Sequence, residues 1–188
     1  PRLVVHEMTD LLALDLVEKR LVTDQMTLTV GYDIENLTDP VRRKKYKGEV
    51  TVDRYGRRIP KHAHGSVNLD RQTSSSELII NAVLKLYDEI TDKNLLVRRI
   101  SVTAGRVVSE DLAREKENFE QLELFTDYEA REKEKKKEEE RLQRERRMQE
   151  AVLDIKKKFG KNAVLKGMNF EEGATARERN RQIGGHRA

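Results

Sequence analysis

The stretch Gln25-Met26-Thr27-Leu28-Thr29-Val30-Gly31-Tyr32-Asp33 decides how the rest of this chain is read. Met26, Leu28, Val30 and Tyr32 occupy alternate positions, with Thr27 and Thr29 between them. Successive side chains on a strand point to opposite faces, so a strand is predicted over 25–33 with one apolar and one polar face. A sheet built on such a strand packs one face on a core and leaves the other wet. Just upstream, residues 3–20 have helical spacing. Val5, Met8, Leu12 and Leu16 lie near one face, with Asp10, Asp15 and Glu18 largely off it.

Downstream, residues 33–64 are rich in Asp, Lys, Arg, Gly and Pro. Within this long loop Val50-Thr51-Val52, followed by Tyr55-Gly56, permits a small hairpin. A short strand is expected over 65–70, where Val67 and Leu69 alternate with Ser66, Asn68 and Asp70. A helix follows. Ser74, Ser75 or Ser76 can cap it, Glu77 suits its positive end, and Leu78, Ile79, Ala82, Val83, Leu86, Tyr87 and Ile90 keep helical spacing up to a stop near Asn94. Residues 95–104 read as another strand, with Ile100 and Val102 on one face and Arg99, Ser101 and Thr103 on the other. The order helix, strand, strand, helix, strand gives an α+β fold whose two helices cover one sheet face. A fourth strand would lie upstream of Pro1, consistent with a chain that begins without an initiator Met.

Composition limits the size of that core. Of 188 residues 38% are charged and only 5% aromatic, and the mean hydropathy is −0.81. This is too polar for the whole chain to pack round one centre. Net charge is +4, with 38 Lys and Arg against 34 Asp and Glu, so any case for nucleic acid rests on where the charges cluster. There is no cysteine, which excludes disulfides and thiol chemistry and fits a cytoplasmic setting. No apolar run approaches the ~20 residues that cross a bilayer, so no membrane partner is expected.

The expected organisation is a sheet domain over 1–106, a linker over 107–127, a charged helix over 128–160 and a flexible basic tail over 161–188. In the linker, Gln121-Leu122-Glu123-Leu124-Phe125 is an isolated apolar cluster that either docks on a partner or folds back onto the domain. The 128–160 segment carries blocks such as Glu132-Lys133-Glu134-Lys135-Lys136-Lys137 with few apolar positions, as a solvated helix does. The glycine-containing tail reads as mobile until bound.

Motifs for catalysis are lacking. His62 and His64 could place two imidazoles on one strand, but no further metal ligands stand at useful spacing. No serine elbow, phosphate-cradling glycine loop or zinc-peptidase helix is present. The basic cluster Arg42, Arg43, Lys44, Lys45 and Lys47, followed by Arg54, Arg57, Arg58 and Lys61, can neutralise several phosphates or simply be solvated. Beside it, the polar sheet face offers Thr27, Thr29, Ser66, Asn68, Arg99, Ser101 and Thr103, donors that can position a duplex without reading its sequence.

Several stretches resemble a known family. Leu28-Thr29-Val30-Gly31-Tyr32-Asp33, Arg57-Arg58-Ile59-Pro60-Lys61-His62-Ala63-His64-Gly65 and Asn94-Leu95-Leu96-Val97-Arg98-Arg99 are similar to the C-terminal region of UmuC-type Y-family DNA polymerases. So are Lys158-Phe159-Gly160-Lys161-Asn162-Ala163 and the run from Arg177 to His186. The resemblance implies a little-finger fold, βαββαβ with the first strand missing here, that grips template-primer duplex with its open face; strand parity puts Thr27, Thr29, Arg99 and Ser101 on that face, and the basic cluster joins it by charge. It also implies that Gln121, Leu122, Leu124 and Phe125 are a motif for the bacterial sliding clamp. The palm, fingers and thumb are not in these residues, so no catalytic residue or cofactor is expected here; magnesium would belong to a catalytic part upstream. The implied role is DNA binding and clamp tethering for an error-prone translesion polymerase in DNA repair and the SOS response, with a recombinase filament as a further partner. The alternative is a stand-alone interaction protein whose basic helical tail binds protein or RNA.

Overall fold

The structure is a computed structural model that describes residues 1–120, 128–183 and 186–187, with side chains over 1–115 and 136–182. Helix α1 (Arg2–Glu18) leads into the long strand β1 (Leu21–Tyr32). Short helices α2 (Glu35–Thr38) and α3 (Pro40–Lys45), then a hairpin of β2 (Val50–Val52) and β3 (Arg58–Pro60), fill the following loop. Strand β4 (Ala63–Thr73), helix α4 (Ser76–Ile90) and strands β5 (Val97–Gly105) and β6 (Val108–Ser109) complete the sheet domain.

The sheet is antiparallel with order β4-β1-β5, and β6 pairs with the start of β1. β1 is central, and its alternation sets the fold. Met26, Leu28 and Val30 are fully buried and Tyr32 nearly so, beneath α1 and α4. Register on both sides keeps parity, pairing Leu28 with Gly65 and Val102, and Thr29 with His64 and Ser101. Gly65 lets α4 approach β4 closely, because a Cβ there would lie 3.0 Å from Leu86 Cδ1 and 3.3 Å from Ile90 Cγ2. Ser75 is the cap of α4, its hydroxyl accepting from Leu78 N at 3.2 Å. The helix stops at Ile90 rather than at Asn94, whose amide instead donates to Asp92 Oδ1 in the following turn.

β6 supplies the further pairing on β1, at Leu21–Ser109 and Val22–Val108. It opens the segment read as linker, and residues 110–120 continue as helix α5 (Glu110–Glu120), with Ala113 buried. The segment therefore has a strand and a helix where its charge alone suggested neither.

Helix α6 (Tyr128–Phe159) matches the predicted charged helix, but it is docked along part of its length by polar contacts. Gln149 is buried and donates from Nε2 to Ser74 O at 3.1 Å and Ser76 Oγ at 2.9 Å. Glu145 accepts from Ser75 Oγ at 2.5 Å and from Glu77 N at 3.0 Å, placing a carboxylate at the positive end of α4. Arg146 joins Glu110 at 2.5 Å, and Lys157 joins Glu18 at 3.2 Å.

The tail differs most from expectation. Residues 161–182, hereafter the strap, fold back onto α1 through a 3-10 turn (Gly167–Phe170) and helix α7 (Ala176–Arg179). β7 (Gln182–Ile183) then pairs with β8 (His186–Arg187). The anchor is Glu7, only 1% exposed. It accepts from Asn169 Nδ2 and Thr175 N, both at 2.9 Å, and from Thr175 Oγ1 and Arg179 Nη2, both at 3.2 Å. Lys166 Nζ reaches Asp10 Oδ1 at 2.6 Å. Of the acids read as lying off the apolar face of α1, Asp10 is thus covered while Glu18 stays exposed, and Glu7 is buried with it.

Candidate nucleic-acid interface

The strand face away from α1 and α4 is made of polar pairs in consecutive rows. Gln25 Nε2 donates to Asn68 Oδ1 at 3.1 Å, Thr27 Oγ1 and Ser66 Oγ share a hydrogen bond at 2.8 Å, and Thr29 Oγ1 and His64 Nδ1 lie 2.9 Å apart. On the other side of β1 the rows continue to Gly105, Thr103, Ser101 and Arg99, opposite Gln25, Thr27, Thr29 and Gly31. Thr27, Thr29, Ser101 and Arg99, predicted by parity to share a face, do so. Ser66, Asn68, His64, Thr103 and Arg99 are exposed, while Thr27, Thr29 and Ser101 are half-buried between them.

Arg106 is the residue that strand parity could not find. It follows the last residue of β5 and adopts a left-handed backbone (φ 46°), uncommon for a residue with a side chain. Its guanidinium donates to Asn68 Oδ1 at 2.8 Å across β1, which adds a second cation to this face beside Arg99. Only tertiary pairing brings residue 106 next to residue 68.

The basic cluster lies elsewhere. Arg42, Arg43, Lys44 and Lys45 belong to α3, capped by Asp39, whose carboxylate accepts from Arg42 N at 2.7 Å. α3 and Lys47 border a cleft with Asp92, Asn94 and Leu95, beyond the end of β1 rather than on the polar rows. The junction is held by Asn36, fully buried, whose Nδ2 donates to Asp33 O and Leu96 O and whose Oδ1 accepts from Leu96 N, all at 2.9 Å. Arg43, Lys44, Lys45 and Lys47 are exposed and Arg42 is half-buried.

The hairpin partly neutralises its own charge. Arg57 pairs with Asp53 at 2.7 Å and Lys61 with Glu49 at 2.7 Å, while Arg54 and Arg57 stack over the exposed ring of Tyr55. At its base Asp33 is held below the usual carboxylate range by the Glu35 amide, against its desolvation, with further help from Arg98.

His62 and His64 form an edge-to-face pair with ring centroids 6.4 Å apart, and His64 is engaged with Thr29. Among the described residues no group of three His, Cys, Asp or Glu is placed to hold a metal ion. The motif Gln121, Leu122, Leu124 and Phe125 lies outside the described residues. Among those described, no helix is long and apolar enough to cross a membrane.

A polar sheet face edged by arginines, on a three-lane antiparallel sheet backed by two helices, is the setting in which the family comparison is informative. Residues 2–124 match the impB/mucB/samB family C-terminal domain. The match covers well over half of the chain, which therefore belongs to that family of Y-family DNA polymerases and corresponds to the C-terminal region of a UmuC-type member. No curated protein and no solved structure gives a significant match.

Proposed function

We propose that this chain is the DNA-holding and clamp-tethering part of a translesion DNA polymerase. The observation that carries the reading is the open sheet face, where hydroxyl, amide and imidazole groups in paired rows lie beside Arg99 and Arg106. Such a surface can take the backbone of template-primer duplex with little dependence on base sequence, since phosphate contacts position a duplex without specifying it. Arg42, Arg43, Lys44, Lys45 and Lys47 extend the positive surface past the end of β1 and would engage phosphates further along the duplex. Gln121, Leu122, Leu124 and Phe125 would tether the domain to the sliding clamp, Leu124 and Phe125 as apolar anchors. Nucleotidyl transfer and its magnesium ions are assigned to palm carboxylates outside these residues. The SOS setting and contact with a recombinase filament belong to the same reading.

The test is duplex binding as a function of salt. Arg99→Ser with Arg106→Ser should reduce the slope of log K against log salt by about 0.9 for each phosphate that is no longer neutralised. An unchanged slope would remove the sheet face from the interface. The α3 quartet changed to Ser is the second arm, and an unchanged slope there removes α3. Leu124→Ala with Phe125→Ala should abolish clamp binding and leave duplex affinity intact; parallel loss of both would contradict separate sites.

A further inference from the structure

Residues 156–182 contain eight Lys and Arg against three Glu, although the whole chain has a net charge of only +4. The rest of the chain is close to neutral, and this segment lies outside the range matched to the family. It is also fixed in place. The Glu7 contacts hold the strap against α1, and burial of Ala176 closes the contact. Asn162 ties the two ends of the segment together, donating from Nδ2 to Arg177 O at 3.3 Å and accepting at Oδ1 from Asn180 Nδ2 at 2.8 Å. The end of α6 and helix α7 therefore form one continuous surface.

On that surface two large aromatic rings face solvent. Phe159 is 68% exposed and Phe170 is 64% exposed. Each has a cation over one face of the ring, Lys158 Nζ 5.3 Å from the Phe159 ring centroid and the Arg177 guanidinium 5.3 Å from that of Phe170. These cations do not bury the rings, which keep their exposure with the cations in place. Lys161 and Arg181 are exposed nearby in sequence and, like Lys158 and Arg177, form no salt bridge among the described residues. Exposed aromatic rings interleaved with cations that form no salt bridge are the arrangement on which successive bases stack while their phosphates are neutralised.

We propose that the end of α6 and the docked strap form a binding site for single-stranded DNA. Phe159 and Phe170 are its stacking platforms, and Lys158, Lys161, Arg177 and Arg181 its phosphate contacts. The site is on the far side of the domain from the open sheet face, since the strap covers the outer side of α1 and α1 packs on the closed face. A duplex on the sheet and an unpaired strand on the strap can therefore be held together by one chain. DNA rather than RNA is assigned because the chain belongs to a DNA polymerase family.

The experiment measures fluorescence anisotropy of labelled oligothymidylate, oligouridylate and a blunt duplex on the full chain. Phe159→Ala with Phe170→Ala should weaken oligothymidylate binding at least tenfold and leave the duplex within twofold. Changing Lys158, Lys161, Arg177 and Arg181 to Ser should lower the oligothymidylate salt slope by about 0.7 for each phosphate that is no longer neutralised. Arg99→Ser with Arg106→Ser should leave oligothymidylate affinity unchanged, so failure of the sheet reading and failure of this one are separable. Circular dichroism of each variant confirms that it folds. Unchanged oligothymidylate affinity in both strap variants, or equal weakening on the duplex, overturns the site. Tighter binding of oligouridylate than of oligothymidylate overturns the assignment to DNA.

Discussion

Residues 21–105 and residues 136–182 are joined to the same helix α1, but by opposite means. The first region packs by apolar burial: Met26, Leu28, Val30, Ile79 and Val83 are fully buried and lock the sheet to α1 and α4. The second docks through hydrogen bonds and ion pairs, on α1 at Glu7 and Asp10 and also at Ser74 and Ser75 before α4. The difference teaches that a segment too polar to have a core of its own can still be ordered, provided that it satisfies polar groups another element leaves buried. A buried carboxylate such as Glu7 is costly unless it is paired and hydrogen-bonded. Its partners all come from the strap, so strap and helix are mutually dependent.

The largest expected effect falls on the apolar side of the comparison. Leu28→Ala should cost about 2–5 kcal/mol in urea unfolding, through the transfer energy forfeited and the cavity left between β1 and the helices. A change under ~1 kcal/mol would mean that the sheet core is less tightly packed than its burial indicates.

Glu7→Ala should come next, at about 2–3 kcal/mol, because half-buried Arg179 loses its partner and Asn169 and Thr175 lose their acceptor. Its signature is local: hydrogen exchange across 161–182 should accelerate while 21–105 stays protected. Uniform acceleration would show that both regions unfold as one unit and erase the distinction.

Acidification should reproduce part of that change. Burial tends to raise the Glu7 carboxyl, but hydrogen bonds from Thr175, Asn169 and Ala176, with Arg179, hold it below its ordinary 4.5. A depressed carboxyl stabilises the fold above its unfolded value, and that contribution is lost as pH falls through the folded one. His6, pushed below 6.5 mainly by burial and further by Lys166 and Arg2, against Asp10, has the same sign for a different reason. Its neutral form is preferred in the fold, so it too stabilises at neutral pH and ceases to do so as pH falls. Limited proteolysis of the strap should therefore speed up in two stages, as pH falls below 6.5 for His6 and again as it falls below 4.5 for Glu7. A flat profile would remove Glu7 and His6 as its fasteners.

The smallest effect should come from Ser75→Ala, about 1 kcal/mol for removal of the α4 cap. Because Ser75 Oγ also donates to Glu145, exchange in α6 near residue 145 should rise with it. Destabilised α4 without that change would show that Glu145 is held by Glu77 N alone.

Much of the first region was legible in the sequence. The alternation at 26–32 gave the strand and its faces, helical spacing gave α1 and α4, and parity put Thr27, Thr29, Ser101 and Arg99 together. Element ends were less legible: β4 extends to Thr73 rather than to 70, and α4 ends at Ile90 because the Asp92 turn takes over. Parity does not reach Arg106, which lies beyond the strand in a left-handed turn, and it could not separate the α3 cluster from the polar rows. Across 108–120 charge hid a strand and a helix, since two residues of pairing leave no periodic signal.

What the sequence determined by itself was therefore the period-two and period-3.6 patterning and the face each side chain takes, beside a family resemblance carried by separate motifs. Apolar burial repeats with the backbone, and a repeating signal can be read without coordinates. What only the tertiary structure decided was the docking of α6 and the strap, the meeting of Arg106 with Asn68 and the presentation of Phe159 and Phe170 on one surface. These rest on single polar contacts between residues as far apart as Glu7 and Arg179. A lone hydrogen-bonded pair has no period, so nothing in the order of the residues announces it before the chain has folded.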